Sequence, residues 1–334
     1  MGIKGLTQFI KEKSPECIQS ENICTFKDKT FAIDTSIFLY QSLSHVRANG
    51  EYLRNSEGKI VSHIIGLFDK TVHYLSFGIK PIFVLDGKPP PEKWECIQER
   101  NKRAQECKEK MLTETNETEK HKLEKGTIRI TKEYIDDLKR LFSLMGVSYI
   151  QGESEAESYA GELCRMGYVD AVISEDMDTL VYGCPTLIRR CLDRKEKRKE
   201  VVTTFQLSTL LQDLEMDLAQ FTDLCILCGC DYCDTLPGIG PKRAYQYLKK
   251  YETIEGMIES GKFEIPDSFR NRYEKARELF RMYYEKVTPE EVPVQRSEID
   301  YDNLSNYLIH ECGMNEHRVK RSLTKIQRAS VVVS

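Results

Sequence analysis

The 334-residue sequence contains no apolar run approaching the roughly 18 residues that cross a bilayer, and no basic segment followed by a long apolar one opens it. Both absences predict a soluble, intracellular protein with no membrane partner. Met1-Gly2 invites a myristoylation reading, but Leu6 stands where that signal needs Ser or Thr. No internal repeat is present. Nor is there an excess of positive charge: 49 Lys and Arg against 53 Asp and Glu leave a net charge of −4.

What the chain does have is acids at the ends of apolar segments. Asp34 closes Thr30-Phe31-Ala32-Ile33, and Asp86 closes Pro81-Ile82-Phe83-Val84-Leu85. Asp176 and Asp178 follow Asp170-Ala171-Val172-Ile173-Ser174, Glu155 and Glu157 open a helix, and Asp231 follows Leu224-Cys225-Ile226-Leu227. In an open α/β sheet the ligand crevice lies at the carboxyl ends of the strands, so such acids are expected to converge. Two carboxylates about 4 Å apart repel by roughly 4 kcal/mol at an effective dielectric near 20, so a cluster of them calls for cations. Oxygen ligands with no histidine among them favour Mg²⁺ or Mn²⁺ over zinc.

Setting these seven carboxylates aside leaves 46 acidic residues against 49 basic. Residues 88–132 carry twelve Lys and Arg against nine acids, and residues 317–328 five basic residues and no acid. Such stretches suit a phosphate backbone, or equally a solvated helical face of mixed charge. Twelve cysteines without a secretion signal read as reduced thiols. Cys225, Cys228, Cys230 and Cys233 have zinc-like spacing, yet Cys225 and Cys228 fall in a buried-helix pattern where cysteine acts as a small apolar residue.

Along the chain, residues 1–110 alternate strand-like and helix-like runs, which predicts parallel βαβ organisation. Residues 113–127 are nearly devoid of apolar side chains, as in a mobile loop or the tip of an exposed helical arch. Helical period returns from Lys132 to Met145, and Tyr149-Ile150 and Ala171-Val172-Ile173 read as strands. Residues 204–285 are helix-rich, with loops at Gly229–Pro241 and Gly261–Pro266. Residues 287–303 look like a wrap to a final basic helix.

Each motif has a plainer alternative. Ser154-Glu155-Ala156-Glu157 fits a capping box, and Asp176-Met177-Asp178 a surface turn. Gly238-Ile239-Gly240-Pro241-Lys242-Arg243 joins two helical segments. It is either an ordinary turn or a helix-hairpin-helix whose amides hold a phosphate beside Lys242 and Arg243. Lys93 and Arg100 lie two helical turns apart, placed to stabilise charge on a phosphoryl group or simply facing solvent. Tyr40 could stack on an unpaired base or be half-buried core.

Met1-Gly2-Ile3-Lys4-Gly5-Leu6, Ala32-Ile33-Asp34, Val84-Leu85-Asp86-Gly87-Lys88-Pro89-Pro90, Glu155-Ala156-Glu157, Glu175-Asp176-Met177-Asp178 and Gly238–Arg243 together resemble the eukaryotic flap endonucleases, XPG-like 5′ nucleases of replication and repair. The resemblance runs in order from residue 1 to about residue 325. It implies a PIN-like α/β fold, a mostly parallel sheet flanked by helices, with a helical arch and a helix-two-turn-helix. The implied regions are a nuclease part over 1–107, an arch or mobile linker over 108–131, an internal nuclease part over 132–260, and a helical wrap with basic tail over 261–334. Asp34, Asp86, Glu155 and Glu157 would hold one Mg²⁺, and Asp176, Asp178 and Asp231 a second. Lys93 and Arg100 would be arch cations, and Tyr40 the stacking residue. Arg47, Lys70, Glu155, Gly229, Asp231, Gly238, Gly240, Lys242 and Arg243 would meet DNA carrying a 5′ flap. Carbonyls near Thr235, Leu236 and Ile239 would hold K⁺.

The implied activity is 5′-flap endonuclease with 5′-to-3′ exonuclease, in lagging-strand maturation and long-patch base excision repair. The implied place is the nucleus, with nucleolus and mitochondrion as further sites. Two departures stand out. The family's acid-rich loop before Ser62-His63, which holds a one-nucleotide 3′ flap, reads Arg54-Asn55-Ser56-Glu57-Gly58-Lys59 with a single acid. The sliding clamp (PCNA) is a family partner, but the glutamine-aliphatic-Phe-Phe motif that binds it is missing from this sequence. The alternatives are a junction-binding scaffold that has lost catalysis and a structural zinc protein built on the cysteines.

Overall fold

The computed structural model describes residues 2–44, 52–190, 192, 195, 196, 198–282 and 297–331. Two compact units interleave along the chain. The first takes Met1–Thr25, Lys88–Trp94 and Ser154–Glu291, and the second Phe26–Gly87, Glu95–Glu153 and Val292–Ser334. Strands and helices are numbered in chain order.

Strands buried on both faces read as continuous apolar runs and pair in parallel. The second unit follows this rule. β2 (Thr30–Asp34) and β3 (Lys80–Leu85) are parallel with Ala32 beside Ile82, and β4 (Ser148–Gln151) lies parallel to β3 with Ile82 beside Ser148. Helices α2 (Thr35–Ser44) and α3 (Ser62–Ser76) fall between β2 and β3, and α6 (Lys132–Leu144) precedes β4. Phe83 and Phe142 stack with centroids 4.1 Å apart in its interior. The final helices close this unit: the amide of Asp300, before α15 (Tyr301–Asn306), donates to the Leu144 carbonyl at 3.0 Å. In α16 (Glu316–Val331), Arg318 pairs with Asp69 of α3, and the Lys325 ammonium sits 5.7 Å over the Phe77 ring. The basic stretch 317–328 is thus helical and docked. Of the expected wrap, residues 287–296 lie outside the described residues.

The first unit holds a mixed sheet in the order β1 (Ile18–Asn22), β7 (Val201–Gln206), β6 (Thr186–Arg190), β5 (Ala171–Ile173). β7 runs antiparallel to both neighbours, and β5 and β6 are parallel. Around it are α1 (Leu6–Lys13), α7 (Ala156–Arg165), α8 (Asp178–Val181), α9 (Leu207–Leu214), α10 (Leu218–Cys228), α11 (Pro241–Tyr251), α12 (Ile254–Glu259), α13 (Asp267–Arg270) and α14 (Tyr273–Arg281). Phe9, Leu180, Phe205, Phe221, Ile226 and Phe280 fill its core.

Beneath that core Arg277 grips Asp223 through two bonds of 2.8 Å and Glu255 through bonds of 2.8 and 3.2 Å. Asp223 is buried, and burial lifts its carboxyl above the usual range even against the Arg277 charge. Removing one partner of a buried pair strands the other. Arg277→Ala is therefore expected to cost about 3–5 kcal/mol in chemical denaturation, while Arg277→Lys, which forfeits the bidentate fork, costs less.

The polar stretch 113–127 is helical. α4 (Trp94–Thr113) turns at residues 114–116 into α5 (Glu117–Thr127). The Asn116 side chain caps α5, accepting from the amides of Thr118 at 2.9 Å and Glu119 at 3.3 Å. Only Ala104 in all of α4 is fully buried, so solvation and these caps shape the hairpin more than packing. At Gly126 a Cβ would stand 2.7 Å from Cys107 Sγ, so the two helices approach as closely as glycine allows. The stretch is thus mostly helical rather than a structureless loop.

Candidate active site

Five of the seven expected carboxylates lie in the first unit, and they can be built up from local structure. Pro89, Pro90 and Pro91 fix an extended lead-in to a 3₁₀ turn, Pro91–Lys93, that ends on Lys93. Lys93 therefore sits just before α4 rather than on it, and it is 9% exposed. Its ammonium contacts Glu155 Oε1 and lies 3.0 Å from Asp231 Oδ2. Glu155, 6% exposed, is the N-cap residue of α7 without using its side chain as a cap. Its other oxygen accepts from the Tyr232 hydroxyl. The capping-box reading of Ser154 and Glu157 does not hold: Ser154 Oγ is buried without a partner. Glu157 lies in the first turn of α7 and is half-buried.

The Asp176–Asp178 segment is not a surface turn. The Asp176 amide donates to Ser174 Oγ at 3.0 Å, and Asp176 Oδ1 accepts the Asp178 amide at 3.0 Å. This places Asp178 at the start of α8, 6% exposed, with its Oδ1 accepting the Ile3 amide at 3.2 Å. A Cβ on Gly2, whose φ is 82°, would stand 2.2 Å from Asp176 Oδ1. Gly2 and Ile3 are thus part of the site, close to residues some 175 positions away. Burial, then the charges of Asp176 and Asp231, push the Asp178 carboxyl well above the ordinary range. Carboxylates that oppose one another's ionisation gain from a nearby cation, and oxygen donors of this kind suit a hard divalent one.

In the second unit Asp34 ends β2, buried, and its Oδ1 accepts the Ser36 amide at 3.1 Å. Ser36 Oγ in turn donates to Asp86 Oδ2. The Asp86 backbone carbonyl accepts from Gln151 Nε2 at 3.1 Å. Ser36, like Tyr232, was not singled out from sequence. Among the described residues no three Asp, Glu, His or Cys side chains stand close enough to chelate an ion. The acids come together in smaller groups, with the Lys93 ammonium as the cation on two of them. The same holds for the cysteines: Cys225, Cys228 and Cys233 are buried, burial raises the Cys228 and Cys233 thiols to about 12, and among the described residues they form no group that could hold an ion.

Of the expected DNA contacts, Arg47 lies outside the described residues. Tyr40 is on α2, exposed, its hydroxyl donating to the Lys125 carbonyl at 3.2 Å, which ties it to the end of α5. The Lys70 ammonium sits 4.2 Å over the Phe38 ring. Arg100 is on α4, and its carbonyl accepts from Arg129 Nη2 at 2.7 Å. Residues Arg54–Lys59 form a tight hairpin, with Arg54 bridged to Ile60 and Lys59 3.0 Å from both Glu133 and Asp137.

α10 and α11 flank the glycine-rich loop as expected. Gly229 ends α10 with φ 90°, where a Cβ would lie 3.0 Å from the Thr235 nitrogen. Pro241 opens α11 after Gly240, with no side-chain cap on its first turn, a kind of helix start that can accept an anion. Lys242 pairs with Glu12 at 2.6 Å, and Arg243 Nη1 donates to the Gly238 carbonyl at 2.7 Å. Thr235 Oγ1 lies 3.2, 3.3 and 3.1 Å from the carbonyl oxygens of Leu227, Leu236 and Ile239. One hydroxyl proton serves one of the three, so the other two carbonyls meet the Thr235 oxygen without its proton.

The XPG N-terminal domain family matches residues 1–107, and the XPG I-region matches residues 146–231. The chain belongs to the XPG family of nucleases. Within that family its full-length similarity is to flap endonucleases. Flap endonuclease 1 of Komagataella phaffii is 39% identical over 340 residues, 98% of this chain and 90% of that protein. The flap endonuclease-1 structure from Methanococcus jannaschii matches with a TM-score of 0.71 at 30% identity, covering 95% of this chain and 97% of that one. The catalytic core of Rad2 in complex with DNA substrate shares the fold, with a TM-score of 0.68 at 22% identity, covering 97% of this chain and all of that one.

Proposed function

We propose that this chain is a structure-specific 5′-flap endonuclease, with 5′-to-3′ exonuclease activity, that hydrolyses phosphodiesters of branched DNA. The observation that carries the reading, beside the full-length similarity, is the Lys93 ammonium set on Glu155 and Asp231 in the same unit as buried Asp178. The five carboxylates of the first unit are assigned to divalent metal on their donor chemistry and crowding, and Asp34 and Asp86 on the resemblance. Bound Mg²⁺, with Mn²⁺ as its substitute, would supply an activated water and neutralise charge on the leaving 3′ oxygen. Lys93 offers positive charge to the non-bridging oxygens of the scissile phosphate, with Arg100 as the second cation. Tyr40 stacks on an unpaired base. Arg47, Lys70 and the α11 amino end, with Gly238, Gly240, Lys242 and Arg243, hold backbone phosphates. Carbonyls near Thr235, Leu236 and Ile239 would hold K⁺. Hydrolysis forms a P–O bond from water and breaks the P–O3′ bond, leaving a 5′ phosphate and a 3′ hydroxyl. Replication and repair in the nucleus are the setting this reading proposes.

The test is single-turnover cleavage of labelled double-flap DNA with and without Mg²⁺, comparing substrates with and without a one-nucleotide 3′ flap. Incision near the 5′-flap junction only with Mg²⁺ is expected. Tight binding without incision would overturn the reading in favour of a scaffold. Lys59 is spent on Glu133 and Asp137, and Glu57 is the sole acid of its loop. The 3′-flap preference is therefore expected to stay below about tenfold, the worth of roughly one hydrogen bond.

A further inference from the structure

Behind the acids of the first unit lies a pair of tyrosines that the hydrolysis described above does not use. Tyr232 and Tyr182 are both buried, and their hydroxyl oxygens are 2.6 Å apart. Tyr232 also donates to Glu155 Oε2. A phenol has one proton. Since Tyr232 spends its proton on the carboxylate, Tyr182 must be the donor within the pair. The bonds therefore run in one direction, from Tyr182 to Tyr232 to Glu155, whose remaining oxygen meets the Lys93 ammonium. Each donation makes the next hydroxyl a stronger donor, so the outer tyrosine strengthens the grip on the carboxylate.

The backbone places Tyr182 for this task. It is the C-cap residue of α8, the short helix that begins at Asp178. A Cβ on Gly161 of α7 would lie 3.1 Å from Tyr182 Cβ, so glycine there lets Tyr182 pack closely on the helix that Glu155 opens. Both rings also pack on Phe280, with centroids 5.1 and 5.3 Å away. The rings thus have a packing role separable from the hydroxyls, and Tyr→Phe exchange tests the hydroxyls alone.

We propose that Tyr182, acting through Tyr232, is a positioning residue that fixes the Glu155 carboxylate for metal. The proposal rests on the nuclease reading above and deepens it. Groups that orient a metal-binding carboxylate commonly contribute about 10–100-fold to metal affinity or activity. Tyr232→Phe is expected to show a loss of that size, and Tyr182→Phe, one bond further out, about three- to tenfold.

Two readouts separate positioning from packing. The first is the Mg²⁺ concentration giving half of the metal-induced rise in melting temperature, measured without DNA. The second is single-turnover cleavage set beside the flap-DNA dissociation constant. Tyr182→Phe should raise the half-maximal Mg²⁺ and lower the rate by similar factors, leave DNA affinity unchanged, and leave the melting temperature in chelator nearly unchanged. A Tyr182→Phe protein with wild-type Mg²⁺ titration and wild-type rate, alongside an impaired Tyr232→Phe protein, would overturn the role of Tyr182. Should the wild type bind Mg²⁺ but cut no flap, the nuclease reading fails. The Mg²⁺ shift between wild type and Tyr182→Phe then still decides the positioning role.

Discussion

Asp178→Asn is expected to abolish cleavage while making the metal-free protein more stable. The asparagine keeps an oxygen for the Ile3 amide, so the local fold loses no bond that Asp178 makes there. It removes a charge that burial, Asp176 and Asp231 all oppose. Loss of one electrostatic contributor in a hydrolytic site costs on the order of 10²–10³ in rate, and a metal-binding carboxylate should lie at or beyond the upper end. Flap-DNA affinity measured in Ca²⁺ should stay within about threefold, because binding is carried by phosphate contacts elsewhere. The checks are single-turnover cleavage, a binding isotherm and thermal melting in chelator. Retained cleavage would remove Asp178 from the metal set, and a lower melting temperature would show that its charge is compensated in the folded protein.

Lys93→Ala should have the same sign on activity and the opposite sign on stability. Without the ammonium, Glu155 and Asp231 lose a shared cation in a largely buried setting. Removing one partner of such a group typically costs about 3–5 kcal/mol, somewhat less here because Asp231 is partly solvated. The cleavage rate should fall about 10²–10³-fold with little change in DNA affinity. A pure loss of affinity would make Lys93 a backbone contact instead. Together the two substitutions form a signed test that general misfolding cannot imitate, since one variant melts higher than wild type and the other lower.

Much of this was legible in the residues. Apolar runs ending in Asp34, Asp86 and Ile173-Ser174 became strands because their length and β-branched content suit parallel pairing, and the acids fell at their carboxyl ends. The glycine-rich Gly238–Arg243 segment became the entry to α11 because Pro241 suits a first helical turn. Other features were hidden for physical reasons. Gly2 and Ile3 meet Asp176 and Asp178 only through tertiary structure, and no local pattern announces such a contact. Tyr182 and Tyr232 look in sequence like ordinary core aromatics, and only their hydroxyls reveal otherwise. α5 was missed as a definite helix because its stretch lacks an apolar face. The Asn116 cap with acids at Glu117 and Glu119 was the available signal. Ser154 shows the reverse error, a cap pattern that the fold does not use.

The interleaving of the two units sets an order on synthesis. As the chain leaves the ribosome, the β2–β3 pair emerges early, but the helices that seal its unit, with Leu304, Leu308, Val319 and Ile326 in the interior, are made only after the first unit. Until they arrive, α3 and α6 expose the apolar surfaces those helices will cover. The nascent protein therefore passes through a long interval with one half open, a window in which chaperones and proteases compete for it. Ribosome-bound chains halted before residue 297 should be cut within the second unit by a protease that leaves the finished protein intact.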